Sequence, residues 1–343
     1  MRYFWLAVVG TWLWLVGAHT ARALELPCRY EDALSEAAAE IVLTGRTVDT
    51  KVLLPTVRAL GFDGVFVHAH EGHDEAALIQ WIKALGERSD GPLVCGEARS
   101  EARWLVLVSS RGGRLWRDGT KLFGGLEPGF GKPHLVVEDR EGHTHKVEVA
   151  MSELTKGVLL PAELSAKRVQ LVAEGPNGPR PVSELDLDGV PPMPALREAV
   201  AAGSEPRRRG PRTRPIDVLL ARLDSFRAKS GAGALRQNDL LSQSAQRHAE
   251  RVCQLGRVAH RLEGGDDPET RLRAERISAR AVGEAVARAG SADDALEAVF
   301  ESPSHRMAVS ERRFTDAGIG QALDQRGNTC LVVLLASWPR RLP

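Results

Sequence analysis

Four cysteines limit this fold more than any other feature: Cys28, Cys95, Cys253 and Cys330 form two well-separated pairs in a chain of 343 residues. In an exported chain an even cysteine count favours disulfides, and four thiols allow three connectivities. Pairing Cys28 with Cys95 and Cys253 with Cys330 keeps each bridge inside one domain, so two separately stapled units are expected. Export is read from the N-terminus. Arg2 supplies a positive start, residues 4–18 are almost wholly apolar, and Ala21-Arg22-Ala23 has the small-x-small form of a cleavage site. The apolar run falls short of the ~20 residues a membrane span needs. Residues 1–23 therefore read as a signal peptide. The mature chain then reads as a protein with no transmembrane span, destined for secretion, the periplasm or the cell envelope.

Charge removes one class of partner. The formal net charge of +1 becomes −1 once Arg2 and Arg22 are cleaved away, and such a chain has no global field to attract nucleic acid.

Hydrophobic patterning divides the mature chain. Over residues 24–114 it reads as a small α+β region. Leu34, Ala37, Ala38 and Ile41 recur at helical spacing, a second helix spans residues 76–85, and residues 65–70 and 104–108 are extended. Residues 115–188 turn to β, with strands at 134–139, 145–150, 168–173 and 181–187. Glu141-Gly142, Leu160-Pro161 and Gly175-Pro176-Asn177-Gly178 separate them as turns, which suits a small Ig-like sandwich. The glycine-rich residues 124–131 read as a loop. Residues 189–215, with Arg207-Arg208-Arg209, read as a solvated linker. Residues 216–340 return to helices at 216–228, 241–255 and 293–300, the last opened by Ser291 as N-cap. Strands follow, and residues 330–336 are the most hydrophobic. The fold class is α+β.

Potential acid/base or metal groups recur in the C-terminal part. His260 closes Arg257-Val258-Ala259-His260, Glu284 follows Gly283, and His305 lies in Ser302-Pro303-Ser304-His305-Arg306. Two imidazoles and a carboxylate in one cleft can hold a divalent cation or move protons near neutral pH. His248, beside Ala249 on the buried side of its helix, reads as a core histidine.

Over about residues 216–338 the sequence resembles the bacterial form of the CAP superfamily (cysteine-rich secretory, antigen 5 and pathogenesis-related 1 proteins). The resemblance rests on several pieces in one order: Leu223-Asp224-Ser225-Phe226-Arg227, His260, Gly283-Glu284, Ser302-Pro303-Ser304-His305-Arg306, and Phe314-Thr315-Asp316-Ala317-Gly318-Ile319-Gly320. The chain departs from the family pattern at Ala285, where Asn is usual, and at Ser304, where Gly is usual. The resemblance implies an α-β-α sandwich with His260, Glu284 and His305 lining a central cleft. It offers Glu301 or Glu297 for a fourth cleft position, and Glu301, just before the Ser-Pro turn, is the one expected to enter. It also implies an extracellular binding module for a lipid-like or peptide ligand, with zinc or another divalent cation at His260 and His305 as an option. The alternatives are a metal-assisted hydrolase using Glu284 as general base, or a structural component of the cell envelope. No Ser or Cys stands in a recognisable nucleophile elbow, which argues against an enzyme. The sequence names neither ligand nor partner.

Two further patterns concern residues 24–114. Asp32-Ala33-Leu34-Ser35 resembles Asp239-Leu240-Leu241-Ser242, Cys95-Gly96 resembles Ile319-Gly320, and residues 104–108 resemble 331–335, so a worn, truncated CAP-like repeat is one reading. No Gly-Glu or Ser-Pro-x-His element accompanies it. His68-Ala69-His70-Glu71-Gly72-His73 offers three imidazoles at close spacing; an exposed polar loop is the expectation there.

Overall fold

The computed structural model describes residues 26–44, 50–101, 103–189, 215–262 and 265–338. The signal-peptide expectation and nearly all of the linker expectation lie outside them.

The N-terminal unit begins with β1 (Arg29–Tyr30), followed by helices α1 (Asp32–Leu43) and α2 (Thr50–Ala59). Strand β2 (His68–Glu71), helix α3 (Glu75–Gly86) and strands β3 (Leu93–Arg99) and β4 (Trp104–Ser110) complete it. The sheet runs β1-β3-β4-β2, with β1 parallel to β3 and the other pairs antiparallel. Leu34, Ala38 and Ile41 of α1 pack with Leu53 and Val57 of α2 on one face. Leu78 and Ile82 of α3 cover the other with Trp104, Val106 and Val108. Helix α2 was missed in the sequence because Pro55 lies inside it and prolines normally interrupt helices.

The middle unit is β, as expected, but smaller than an Ig-like sandwich. Strands β7 (Gly131–Asp139), β8 (Thr144–Glu148), β9 (Ala166–Gly175) and β10 (Gly178–Asp186) make a four-stranded antiparallel sheet in the order β10-β9-β7-β8. A hairpin of β5 (Gly113–Asp118) and β6 (Lys121–Leu126) lies against it, Leu115 and Leu122 joining Leu135, Val169 and Leu171 in one core. Helix α4 (Met151–Lys156) adds Leu154 to that core. Part of the glycine-rich stretch is thus strand: Gly124 and Gly125 lie in β6 and Gly131 opens β7.

The C-terminal unit runs α5 (Ile216–Lys229), β11 (Arg236–Gln237), α6 (Asp239–Leu255), α7 (Pro268–Ala274), β12 (Ala281–Ala289), α8 (Ala292–Glu301), α9 (Pro303–Ser310), β13 (Asp316–Leu323) and β14 (Thr329–Ser337). The sheet order is β11-β13-β14-β12, with β11 parallel to β13. Leu241, Ala245, Ala249 and Val252 of α6 and Leu272 of α7 cover one face. Leu219 and Leu223 of α5, Leu296 and Val299 of α8 and Val309 of α9 cover the other. This is an α-β-α sandwich. Its central strand β14 is buried along its whole length, so it reads as one continuous apolar run rather than an alternating one. The Ser291 cap is present, its side chain accepting from Asp294 N at 3.1 Å.

Disulfides join Cys28 to Cys95, with Cα atoms 5.9 Å apart, and Cys253 to Cys330, with Cα atoms 5.7 Å apart. Each lies within one sheet-and-helix unit.

Candidate functional site

Glu284 is a charged residue on the most buried sheet of the molecule. Alternation along β12 turns it towards α6, opposite Leu334 of β14, and its side chain is 1% exposed. A carboxylate so placed needs charged or hydrogen-bonding partners, and it has them. His260 Nδ1 donates to Oε1 at 2.8 Å, and the Arg271 guanidinium pairs with Oε2. Arg271 comes from α7, whose start is fixed by Asp267 as N-cap and Pro268 in the first turn. The same arginine donates through Nη1 to the His260 carbonyl at 2.7 Å, so it holds both members of the pair.

His248 completes the inner wall. It is 3% exposed. Its Nε2 donates to Ala259 O at 2.9 Å and lies 3.9 Å from Glu284 Oε1. The core role expected of it thus has a second aspect, since it fixes the loop that delivers His260. Burial holds its pKa below the ordinary histidine value, with help from the charges of Arg271 and His260 and against the pull of Glu284.

Glu284 titrates the other way. Burial by itself would raise its pKa, but the hydrogen bond from His260 and the charges of His260, Arg271 and His248 outweigh that and hold it below the usual carboxylate value. A carboxylate with a lowered pKa and both oxygens engaged is a weak proton acceptor. This argues against the general-base role.

With Nδ1–H committed to Glu284, Nε2 is the ring nitrogen of His260 left for an incoming group. Its side chain is 20% exposed. His305 lies on the first turn of α9, partly buried, and feels the His260 ring electrostatically. Burial first, then His260, brings its pKa down to about 4, so it is neutral at pH 7. Glu301 is exposed at the end of α8. What its residue contributes is the backbone carbonyl, which accepts from Arg168 Nη2 at 2.9 Å. Glu297 is bound elsewhere, to Arg222 at 2.8 Å. The acid that meets His260 is Glu284.

Among the described residues no group of three or more His, Cys, Asp or Glu is placed to hold a metal ion. Arg271 already places a cation against the carboxylate. The His68–His73 motif does not converge either, and it is not the exposed loop expected. His68 and His70 lie in β2, paired with Val108 and Val106 of β4. His70 packs on Trp81 with ring centroids 4.9 Å apart, and only His73 of the three is exposed. Burial, then the charges of Arg288 and Arg326, hold His68 at a pKa of about 4.

Sequence reading missed Arg271 and the residues of the middle sheet that reach this region, Arg168 and Gln170. Nothing in the local pattern distinguishes Arg271 from Arg273, its exposed neighbour; only α7's orientation does.

Residues 220–335 match the cysteine-rich secretory protein family, CAP. No curated protein matches the sequence. Among solved structures the chain is similar to an outer surface protein from Borrelia burgdorferi, at 21% identity over 36% of this chain and 92% of that one, with a TM-score of 0.34. It is also similar to an extracellular protein containing an SCP domain from Bacillus anthracis, at 14% identity over 66% and 67% of the two chains and a TM-score of 0.31. A cysteine-rich secretory protein from Staphylococcus aureus gives 14% identity over 70% and 84%, with a TM-score of 0.29. Among the described residues no helix is long and apolar enough to cross a membrane.

Proposed function

We propose that this chain, which carries a CAP domain over residues 220–335, is an exported binding module whose cleft takes the polar end of a peptide or a lipid headgroup. One observation carries the reading. His260 is fixed by Glu284 at 2.8 Å, so the ring's orientation is set and Nε2 is the nitrogen left for a ligand. His305, neutral at pH 7, sits close enough to sense it. Such a pair offers two ring nitrogens to a polar group. Export is supported by the apolar stretch at residues 4–18 and by two disulfides, which persist in oxidising compartments.

The test follows ring nitrogens by NMR in histidine-labelled protein. One arm adds phosphatidylglycerol vesicles and the other a pool of short synthetic peptides. A saturable shift at His260 Nε2 in one arm, lost in His260→Asn, supports the reading and names the source. No movement at His260 in either arm, with the fold intact, defeats it. A zinc titration that gives a one-to-one site abolished by His260→Ala would restore the metal reading instead.

A further inference from the structure

Both histidine-bearing segments of the cleft are fastened by the middle β unit. Helix α9 packs on β12 and α8 within its own sandwich, and on β7, β8 and β9 of the middle sheet. At its first turn Ser304 N donates to Gln170 Oε1 at 3.0 Å. Gln170 is 1% exposed, and its Nε2 donates to Glu184 Oε2 at 2.8 Å. One residue beyond His305, Arg306 donates to Glu138 Oε1 and to the Gly142 carbonyl, each at 2.6 Å.

The other segment meets the β9–β10 turn. Arg261 N donates to Asn177 O at 3.0 Å, and the Arg261 guanidinium pairs with Glu174. Gly178, at φ +103°, lies so close that a Cβ there would stand 3.3 Å from His260 Cβ. The Asn177 amide is in turn held by Asp90 of the N-terminal unit. Behind these contacts runs an alternating chain of charges: Arg306, Glu138, Arg168, Glu184 and Arg58. Both glutamates in it are at most 6% exposed. Removing one member strands a buried charge, so the contact is not a loose one.

We propose that the middle β unit is a built-in cover of the histidine cleft, and that its turn around Asn177 and Gly178 sets what can reach His260. The contacts that Ser304, Arg306, His260 and Arg261 make with the middle unit all fall within one residue of His260 or His305. An interface serving only to join domains has no reason to centre on those two segments. The low pKa of His305 agrees with a ring closed in by protein. A slender polar group can pass such a turn, whereas the face of a folded partner cannot. The proposal rests on the cleft's being a binding site, yet its test needs no ligand.

Diethylpyrocarbonate acylates neutral imidazoles, so a His260 that stays slow as the pH is raised above 7 reports restricted access rather than protonation. The full mature chain is treated and each histidine is read by mass spectrometry, with exposed His73 as internal reference. We expect His260, its side chain 20% exposed, to react on the order of tenfold more slowly than exposed His73. Arg261→Glu should release His260, and adding Glu174→Arg should restore protection by re-forming the pair with its signs exchanged. If Arg261→Glu loses the parent's thermal transition, Glu174→Gln, which removes the pair without repulsion, takes its place. His260 reacting as fast as His73 in the parent chain overturns the proposal. So does unchanged protection in a folded variant. Protection without any probe binding would leave the cover standing and remove only the binding reading.

Discussion

The N-terminal and C-terminal sheets share one topology and differ in what they place at one spot. In each, a two-residue first strand runs parallel to the third, which pairs antiparallel with the last, which pairs with the second. The registers give residue equivalences. Tyr30 opposes Cys95 as Gln237 opposes Ala317. Gly96 opposes Leu107, which opposes Ala69, as Gly318 opposes Leu334, which opposes Glu284. Ala69 therefore occupies the place of Glu284. Starting both helices from their aspartates, Asp32 and Asp239, puts Ile41 in the place of His248. In one unit the spot holds a carboxylate, two imidazoles and an arginine; in the other Ile41 and Ala69 join an apolar cluster. The N-terminal unit also has no counterpart of α5 or α9 among its described residues. The comparison teaches that this three-layer frame folds without the polar site. The site is then an addition that the frame tolerates.

The largest expected effect tests whether the two frames are equally dependent on their staples. The bridges span 67 and 77 residues of sequence, so loop-closure entropy gives each about 4 kcal/mol, with a difference of only ~0.1 kcal/mol. Paired Cys→Ala variants should lose similar stability in denaturant titrations. A loss confined to one bridge would show that the units do not carry comparable frames.

Next comes the spot where they differ. Glu284→Ala leaves Arg271 without its carboxylate in a buried setting and should cost about 3 kcal/mol. Ala69→Ser, at the equivalent place, should cost less than about 1 kcal/mol. Thermal unfolding of the two variants side by side checks this. A mild Glu284→Ala would mean that the site is not the burden on the frame argued here.

Slightly smaller, and expected to be equal in both units, is the effect of closing the helix-to-strand approach. A Cβ at Gly96 would run into the backbone of Leu34 and Ser35, and one at Gly318 into that of Leu241 and Ser242. Gly96→Ala and Gly318→Ala should each cost roughly 2–3 kcal/mol, since backbone rather than side chain must yield. Unequal losses would break the equivalence that the strand registers imply.

Acid sensitivity is shared by the two units. His68 and His305 each titrate at about 4 in the fold against 6.5 for the free side chain. Between those values the unfolded chain binds more protons. The stability from keeping each ring neutral is therefore complete above pH 6.5 and is lost as pH falls towards 4. His68→Gln and His305→Gln should each flatten the melting temperature over that window, and the double variant should flatten it further. A window untouched by both would show that the rings are not held neutral by burial.

Much of the frame was legible locally. The i, i+3, i+4 pattern of Leu34, Ala38 and Ile41 marks α1, and the aligned residues 104–108 and 331–335 fall in equivalent register in β4 and β14. The middle alignment was off by two: Gly96 corresponds to Gly318, not Gly320. Both Gly318 and Gly320 lie against α6, so sequence alone offered two equal choices, and only strand pairing separates them.

The sequence by itself determined that the chain has two stapled units, that the C-terminal one is CAP-like, and that His260, Glu284 and His305 are residues to watch. Periodicity and motif order act over short distances, and a chain carries them openly. Only the tertiary structure decided that Arg271 and His248 close around Glu284, that Glu301 is left exposed, and that Gln170 and Asn177 come from the separate middle unit to grip the segments carrying His305 and His260. Those contacts join residues 13 to 134 positions apart. Their geometry depends on how helices and sheets pack, which no local pattern encodes.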